Sequence, residues 1–165
     1  DDALAEHMTM LARHGGLVKH QHHIEGINSR LDGMQAAILS AKLPHLSDWT
    51  KARQNAAKIY DAGLNQIEEV VVPQVAPDRS HVYHLYTIKH PRRDALAAHL
   101  NANGVQTAIN YPTALPFLAA YRRFGHRPEQ FPNAHHQQSR ILSLPMFAEI
   151  TSDQQRRVVD LVRRF

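Results

Sequence analysis

The apolar pattern of this 165-residue chain changes character at Gly63. Before that glycine, apolar residues recur every three or four positions, which is the spacing of one helix face. After it come short β-branched and aromatic segments around a helical pattern, in the order strand, strand, helix, strand. That order predicts a small sheet with helices on one face. The sequence therefore predicts a helical part, residues 1–63, and an α+β part, residues 64–165.

The start of the helical part combines one helix with a polar loop. Residues 2–13 have helical apolar spacing, and Gly15-Gly16 is expected to end the helix. Residues 14–27 are polar, rich in histidine and bracketed by glycines, so they predict a loop. A polar loop after a glycine stop lies at the surface of a protein.

A second helical pattern begins near Leu31, with Asp32 in its first turn. Pro44 lacks a backbone N–H and should kink or break this helix. A third helix then follows and ends near Gly63. Ser47 can cap that third helix if the break is complete.

The α+β part has three predicted strands and three predicted helices. Thr151 and Gln154 have the spacing of a capping box, so the last helix should begin there. The predicted strands are residues 70–72, 82–89 and 105–109, and the other predicted helices are residues 92–103 and 133–142.

Composition excludes several classes of function. Without cysteine, the chain has no disulfide, thiolate metal site or cysteine nucleophile. It has no apolar run of the roughly 20 residues that a membrane span needs. His20, His22 and His23 lack the regular spacing and acidic third ligand of a zinc site, so no metal is expected. The chain also begins abruptly inside a helical pattern, as a piece of a longer protein would.

The net charge of +4 does not predict a nucleic-acid partner. Much of the excess lies on the last helix, where cations near the C-terminal end suit the helix dipole. These arginines and the histidine loop have no interleaved exposed aromatic residues, which single-stranded nucleic-acid sites usually have. The arginines concerned are Arg156, Arg157, Arg163 and Arg164.

Asn28 and Arg30 come just before the second helix, where an amide donor and a planar cation could hold an anion such as phosphate. The residues leave another interpretation open. Asn28 can form an Asx turn, and Arg30 can form a surface ion pair.

Segments that follow one another along the chain resemble the DegT/DnrJ/EryC1/StrS family of pyridoxal-phosphate-dependent sugar aminotransferases. The most specific begins Gly26-x-Asn28-x-Arg30-Leu31-Asp32 and resembles the family motif Gly-x-Asn-x-Arg-Met-Asp-Glu-x-Gln-Ala-Ala. The stretch preceding that motif, residues 4–15, resembles the family's helix and His-Gly stop. The other similar segments are residues 81–86, 104–112, 131–134 and 141–147. The resemblance covers essentially the whole chain.

This resemblance implies the C-terminal part of a fold-type I transferase. Residues 1–63 would be a remnant of the large domain with long connecting helices, and residues 64–165 would be the small domain with a small antiparallel or mixed sheet. Gly33 replaces the family's usual glutamate, and Pro44 interrupts a helix that is normally continuous. Both departures suggest a diverged member.

The resemblance also implies roles for four residues. Family members are homodimers, and Asn28 would hold the cofactor phosphate of the neighbouring subunit. Arg30 would lie at the substrate end of that site. Asn110 and Tyr111 would approach the sugar nucleotide, with Asn110 standing where the family has histidine, so a titratable group is lost.

The implied activity is transfer of an amino group, with glutamate as expected donor, to a nucleotide-linked keto-sugar. The Schiff-base lysine and the aspartate that pairs with the pyridine nitrogen lie upstream, so no catalytic residue is expected here and the segment alone should be inactive. Two alternatives stay open, a non-catalytic dimerisation or binding module and a sugar dehydratase relative. The four lysines considered as substitutes, and set aside, are Lys19, Lys42, Lys51 and Lys58.

Family membership further implies a bacterial cytoplasmic enzyme of cell-surface polysaccharide or secondary-metabolite biosynthesis, with no membrane partner. Leu31, Met34 and Ile38 should face a lobe that precedes this segment in the parent protein. Without that lobe, their exposure predicts self-association.

Overall fold

The computed structural model describes residues 1–165, which form two compact units, Asp1–Leu46 and Ser47–Phe165. No helix is both long enough and apolar enough to cross a membrane. The helices are α1 (Asp2–Ala12), α2 (Gly33–Lys42), α3 (Leu46–Leu64), α4 (Arg93–Ala102), α5 (Pro132–Gln138) and α6 (Ser152–Arg163), and the strands are β1 (Tyr86–Lys89) and β2 (Ile141–Leu144). Short 3-10 turns occupy Leu43–His45, Leu115–Phe117, Ala119–Phe124 and Pro128–Gln130.

Pro44 interrupts the helix without ending it. It lies in the first 3-10 turn, whose flanking residues keep right-handed helical backbone angles. The Leu46 N–H donates to the Leu43 carbonyl, and α3 begins at once. Ser47 is therefore an interior residue of α3, and the cap expected from a complete break does not form.

The sheet of the second unit is antiparallel and narrow. β1 pairs with β2 in a register that sets Tyr86 opposite Leu144. Single bridges extend it on both sides, Val71 to Lys89 and Ala108 to Ser143. The predicted strands 70–72 and 105–109 thus contribute one bridging residue each. The predicted helix 133–142 is wrong at its end, because the helix stops at Gln138 and the apolar run from Ile141 forms strand β2.

Three helices pack around this sheet to form one hydrophobic core. The α3–α6 contact is polar at one point, where buried Gln155 donates its Nε2 proton to the Ala56 carbonyl at 2.7 Å. Fully buried residues come from each element: Tyr60 and Leu64, Leu96 and Leu100, Tyr86 and Ile88, Leu142 and Leu144, and Val158 and Val162.

Helix ends follow the predicted signals. Thr151 and Gln154 form the reciprocal capping box at the start of α6. Asp32 caps α2 by accepting the Gln35 N–H at 2.8 Å, so the helix begins at Gly33 and Asp32 precedes its first turn instead of lying in it. Gly104 ends α4 with a φ of 78°, which glycine adopts without a Cβ clash.

The predicted domain division, residues 1–63 and 64–165, refers to the domains of a longer protein and stays a prediction. Within this chain the two units divide between Leu46 and Ser47. Most of α3 therefore belongs to the same unit as the sheet.

Candidate functional site

The loop between α1 and α2 is held closed by its own backbone. Ile27 N–H donates to the Leu11 carbonyl at 2.8 Å, and His23 N–H donates to the Gly15 carbonyl at 2.7 Å. Gly15 has a φ of 86°, and a Cβ there would overlap the Ile24 carbonyl oxygen. Gly26 lies against Gly15 in the same way. Glycine is therefore required for the tight fold of this loop.

The folded loop surrounds a hollow of about 450 Å³ that is lined by basic side chains. Arg13, Lys19 and Arg30 line it, and none of the three forms an ion pair within the chain. No carboxylate lines the hollow; its remaining residues are His14, Gly16, Leu17, Val18, His20 and His22. Because the positive charges are uncompensated, the hollow attracts anions.

Asn28 and Arg30 both have exposed side chains that make no hydrogen bond within the chain. The Asn28 backbone bridges to Arg13, which fixes its position beside the hollow's cations. Asp32, not Asn28, caps the following helix. The Asx turn and the surface ion pair left open by the sequence are therefore both absent, and the two side chains are free to contact a ligand.

The second unit holds a different site, an apolar pocket of about 460 Å³. Tyr111 stands at it with 75% of its side chain exposed. Asn110 is half-buried, and its Oδ1 has no hydrogen-bond partner. The apolar lining includes Pro112, Leu115, Leu118, Ala134 and Ile141.

Polar contacts frame this apolar pocket. Gln138 accepts the Ala114 N–H at 2.9 Å, which ties α5 to the loop opposite. Arg93, only 7% exposed, donates to the carbonyls of Gln138 at 3.3 Å and Ile141 at 3.0 Å. The pocket walls are thus held by a buried arginine and a glutamine amide. Neither residue was predictable from the sequence, since both residue types are usually at protein surfaces.

The predicted site residues fall into two pairs, Asn28 with Arg30 in the first unit and Asn110 with Tyr111 in the second. Sequence reasoning missed Arg13, whose side chain lines the same hollow as Arg30. Its position immediately before the histidine loop was the available signal.

The lysines carry no catalytic signature. The side chains of the four lysines considered above are exposed, and Lys51 pairs with Asp48 at 3.9 Å. A fifth, Lys89, is a half-buried residue of β1 that sequence reasoning did not weigh.

Known proteins match the chain along its whole length. A curated relative, the dTDP-3-amino-3,4,6-trideoxy-α-D-glucose transaminase of Streptomyces venezuelae, is 38% identical over 100% of this chain and 44% of its own length. A protein of Geobacillus stearothermophilus named pleiotropic regulatory protein is 42% identical over 100% of this chain and 45% of its own. The chain therefore spans less than half the length of these relatives.

Solved structures agree with these matches. S. venezuelae DesV in complex with a ketimine intermediate superimposes with a TM-score of 0.94 at 37% identity, over 99% of this chain and 44% of that one. An aminotransferase from Brucella abortus gives a TM-score of 0.92 at 34% identity, over 100% of this chain and 44% of that one. The family model of the DegT/DnrJ/EryC1/StrS aminotransferases matches residues 1–163. The chain belongs to the DegT/DnrJ/EryC1/StrS aminotransferase family and has the fold of the C-terminal portion of its members.

Proposed function

We propose that this chain is the C-terminal portion of a pyridoxal-phosphate-dependent aminotransferase that acts on a nucleotide-linked keto-sugar, with glutamate as the expected amino donor. The observation that carries the proposal is the uncompensated cationic hollow beside Asn28, within a family match that includes nearly every residue. Relatives named as transaminases of dTDP-sugars and of a UDP-N-acetyl sugar support the substrate class.

The residues around the hollow fit phosphate groups. The free Asn28 amide offers an N–H donor to the phosphate of the cofactor, and Arg30 offers a planar pair of donors to a phosphate of the nucleotide. Arg13 and Lys19 add positive charge to the same hollow. Pyridoxal phosphate supplies the electron sink that amino transfer needs when it is bound.

Asn110 and Tyr111 would hold the sugar. Tyr111 presents an exposed ring and hydroxyl beside an apolar pocket. The side-chain Oδ1 of Asn110 has no hydrogen-bond partner within the chain. A sugar hydroxyl can hydrogen-bond the exposed Tyr111 hydroxyl. Asparagine cannot exchange a proton as histidine would, so its role here is orientation.

A homodimer in which Asn28 reaches the cofactor of the neighbouring subunit is part of this proposal. The Asn28 side chain is exposed and has no hydrogen bond within its own chain, so it is available to a neighbouring subunit. Two relatives, named spore coat polysaccharide biosynthesis protein SpsC and erythromycin biosynthesis sensory transduction protein EryC1, support a role in polysaccharide or secondary-metabolite biosynthesis.

The 165-residue chain alone would not catalyse this transfer, because its lysines show no anchoring pocket for a Schiff base. A non-catalytic regulatory or binding module is the second candidate, favoured by the regulatory name of the Geobacillus relative. A sugar dehydratase relative is distinguished by the residue at the upstream anchoring position.

The test uses the full-length gene product reconstituted with pyridoxal phosphate. Addition of glutamate should shift the cofactor absorbance, and a subsequent keto-sugar nucleotide should shift it back. Asn28→Ala should raise the dissociation constant for pyridoxal phosphate roughly 10-fold, since hydrogen bonds to charged groups contribute on that scale. Asn55→Ala, which removes another exposed and unbonded amide, should leave it unchanged.

The outcomes separate the candidates. A cofactor that binds with no response to any amino donor would support the non-catalytic module. Equal cofactor affinity in Asn28→Ala and the parent protein would contradict the assigned role of Asn28.

A further inference from the structure

Three histidines, His14, His20 and His22, belong to the lining of the basic hollow in the loop between α1 and α2. All three side chains are exposed. Histidine is the side chain that ordinarily changes charge between about pH 5 and pH 8. The total charge of the hollow therefore changes with pH in that range, whereas its guanidinium and ammonium groups stay charged throughout.

The His22 ring is held in one orientation by the loop backbone. Its Nδ1 lies 2.8 Å from the His14 carbonyl oxygen. Because that oxygen can only accept, Nδ1 carries a proton and donates it. His14 is itself fixed, since its N–H donates to the Ile27 carbonyl at 3.1 Å. The fold of the loop thus determines which nitrogen of the neutral His22 ring is protonated.

The second ring nitrogen of His22, Nε2, makes no hydrogen bond within the chain. In the neutral ring this atom has a lone pair, which cannot donate to an anion and repels its oxygen atoms. Protonation converts Nε2 into an N–H donor and adds a positive charge. A charged donor forms a stronger hydrogen bond to an anionic oxygen than a neutral donor does. Protonation therefore changes His22 from a group that opposes anion binding into one that favours it.

No group in the lining of the hollow cancels this added charge. Every charged or titratable side chain there is a cation or an imidazole. The cations come from the end of α1, from the loop and from the segment before α2, and they are Arg13, Lys19 and Arg30. The carboxylates nearest in sequence, Glu25 and Asp32, do not line the hollow, and Asp32 caps α2. A bound anion and a protonated His22 therefore stabilise each other.

We propose that His22 is an anion-binding residue of the hollow that acts only when protonated, so that the hollow binds a phosphate-like anion more tightly at mildly acid pH than at alkaline pH. His14 and His20 add to this dependence through charge alone, because no hydrogen bond orients their rings. The proposal rests on the proposed function in taking a phosphate group as the natural ligand.

The test is calorimetric titration of the cofactor-free full-length gene product with sulfate, at constant ionic strength. Sulfate has the shape of phosphate but stays dianionic at neutral and mildly acid pH, so a change in affinity reports the protein alone. The dissociation constant should be about 10-fold lower at pH 6 than at pH 8, since an ordinary imidazole is mostly protonated at the first value and neutral at the second.

Three substitutions isolate the contribution of His22. His22→Asn keeps a donor near the His14 carbonyl but cannot gain a proton, so most of the pH dependence should be lost. His22→Lys is charged at both pH values, and its two dissociation constants should agree within about threefold. His23→Asn removes the neighbouring histidine, which does not line the hollow, and should keep the full dependence. Circular dichroism at both pH values checks that each variant is folded.

Three results would overturn the proposal. Equal sulfate affinity at the two pH values would do so, as would a pH dependence that His22→Asn leaves unchanged. Both would leave the proposed function intact, because the response of the cofactor absorbance to glutamate tests that separately. Absence of sulfate binding at either pH would show that the hollow holds no anion. Conversely, His22-dependent sulfate binding in a protein that does not respond to glutamate would support the role of His22 and contradict the proposed function.

Discussion

Tyr86 and Tyr60 are fully buried, yet each hydroxyl group has a partner. The Tyr86 hydroxyl donates to Asp61 Oδ1 at 2.5 Å, and the Tyr60 hydroxyl donates to the Pro145 carbonyl at 2.9 Å. Burial raises the pKa of both phenols, and the Asp61 carboxylate raises that of Tyr86 further. Both tyrosines therefore stay protonated donors through the neutral pH range.

Tyr86→Phe should lower the free energy of unfolding by about 1–2 kcal/mol. The loss is limited because Asp61 is only half-buried and water can replace its lost donor. Tyr83→Phe is the matched control, since the Tyr83 hydroxyl has no hydrogen bond in the structure, and it should cost less than about 0.5 kcal/mol. Urea denaturation measures both; equal losses would show that the Asp61 contact contributes nothing.

His90 links stability to pH. It is 3% exposed, its Nδ1 accepts the Arg92 N–H at 3.0 Å, and its Nε2 lies 3.4 Å from Glu69. Burial lowers the pKa of His90 below the ordinary 6.5, with Arg92 adding to the lowering and Glu69 opposing it. Its ring also packs edge-on against Phe165.

The direction of the pH dependence of stability follows from proton binding to His90. Below the ordinary pKa the unfolded chain binds a proton at His90 that the folded chain resists, so stability should decrease as pH falls from 7.5 to 5.5. His90→Asn keeps an acceptor near the Arg92 N–H and does not titrate. Its unfolding free energy, measured across that range, should depend less on pH than that of the parent. Parallel curves would contradict this.

At the scale of elements, the sequence predicted helices better than strands. The periodic segments were confirmed as helices and the Thr151 capping box forms, whereas the Ser47 cap does not. The predicted strand 82–89 shortened to Tyr86–Lys89, and β2 was missed. A central strand such as β2 is a short apolar run with little alternation, which sequence pattern cannot distinguish from a helix end.

The candidate site was predictable only in part for the same physical reason. Asn28 and Arg30 lie just before the start of α2, so a short window of sequence was enough to identify them as candidates. Arg93 acts on carbonyls 45 and 48 residues away, and only the tertiary fold brings them together. Long-range contacts of this kind have no signature within a local window of sequence.

The packing of α3 on α6 leaves no room for a side chain at Gly63. A Cβ there would lie 2.8 and 2.9 Å from the two methyl carbons of Val159. Gly63→Ala gains helix propensity but overpacks this contact, so we expect a net loss of about 1 kcal/mol. Adding Val159→Ala should cost less in the Gly63→Ala background than alone, because the cavity it makes accepts the new methyl group.

Gly33 provides the control for that experiment. It begins α2, and a Cβ there would meet nothing within 4 Å. Gly33→Ala should therefore be neutral or stabilising by a few tenths of a kcal/mol. Thermal unfolding of the single and double variants supplies the coupling energy, and additive losses would contradict direct contact between residues 63 and 159.

At the scale of the whole molecule, the two units differ in how they bury apolar residues. The second unit has the hydrophobic core, whereas the helices of the first unit contain no buried residue. Only Gly15 and Gly16 are buried within residues 1–46. Hydrogen bonds and helix capping hold the first unit's local shape, and its apolar side chains are available to another surface.

The apolar side chains along α2 and the 3-10 turn that follows it predict that the isolated 165-residue chain self-associates. Met34 is 76% exposed, Leu43 is 68% exposed and Ile38 is 52% exposed. Removing such a continuous face from water is favourable at roughly 25 cal/mol per Å². Sedimentation velocity at rising concentration should show species larger than a monomer, and Met34→Glu with Ile38→Lys should restore the monomer. Leu115→Glu, at another exposed leucine, should not. A parent chain that stays monomeric and binds no hydrophobic dye would show that this face has no need of a partner.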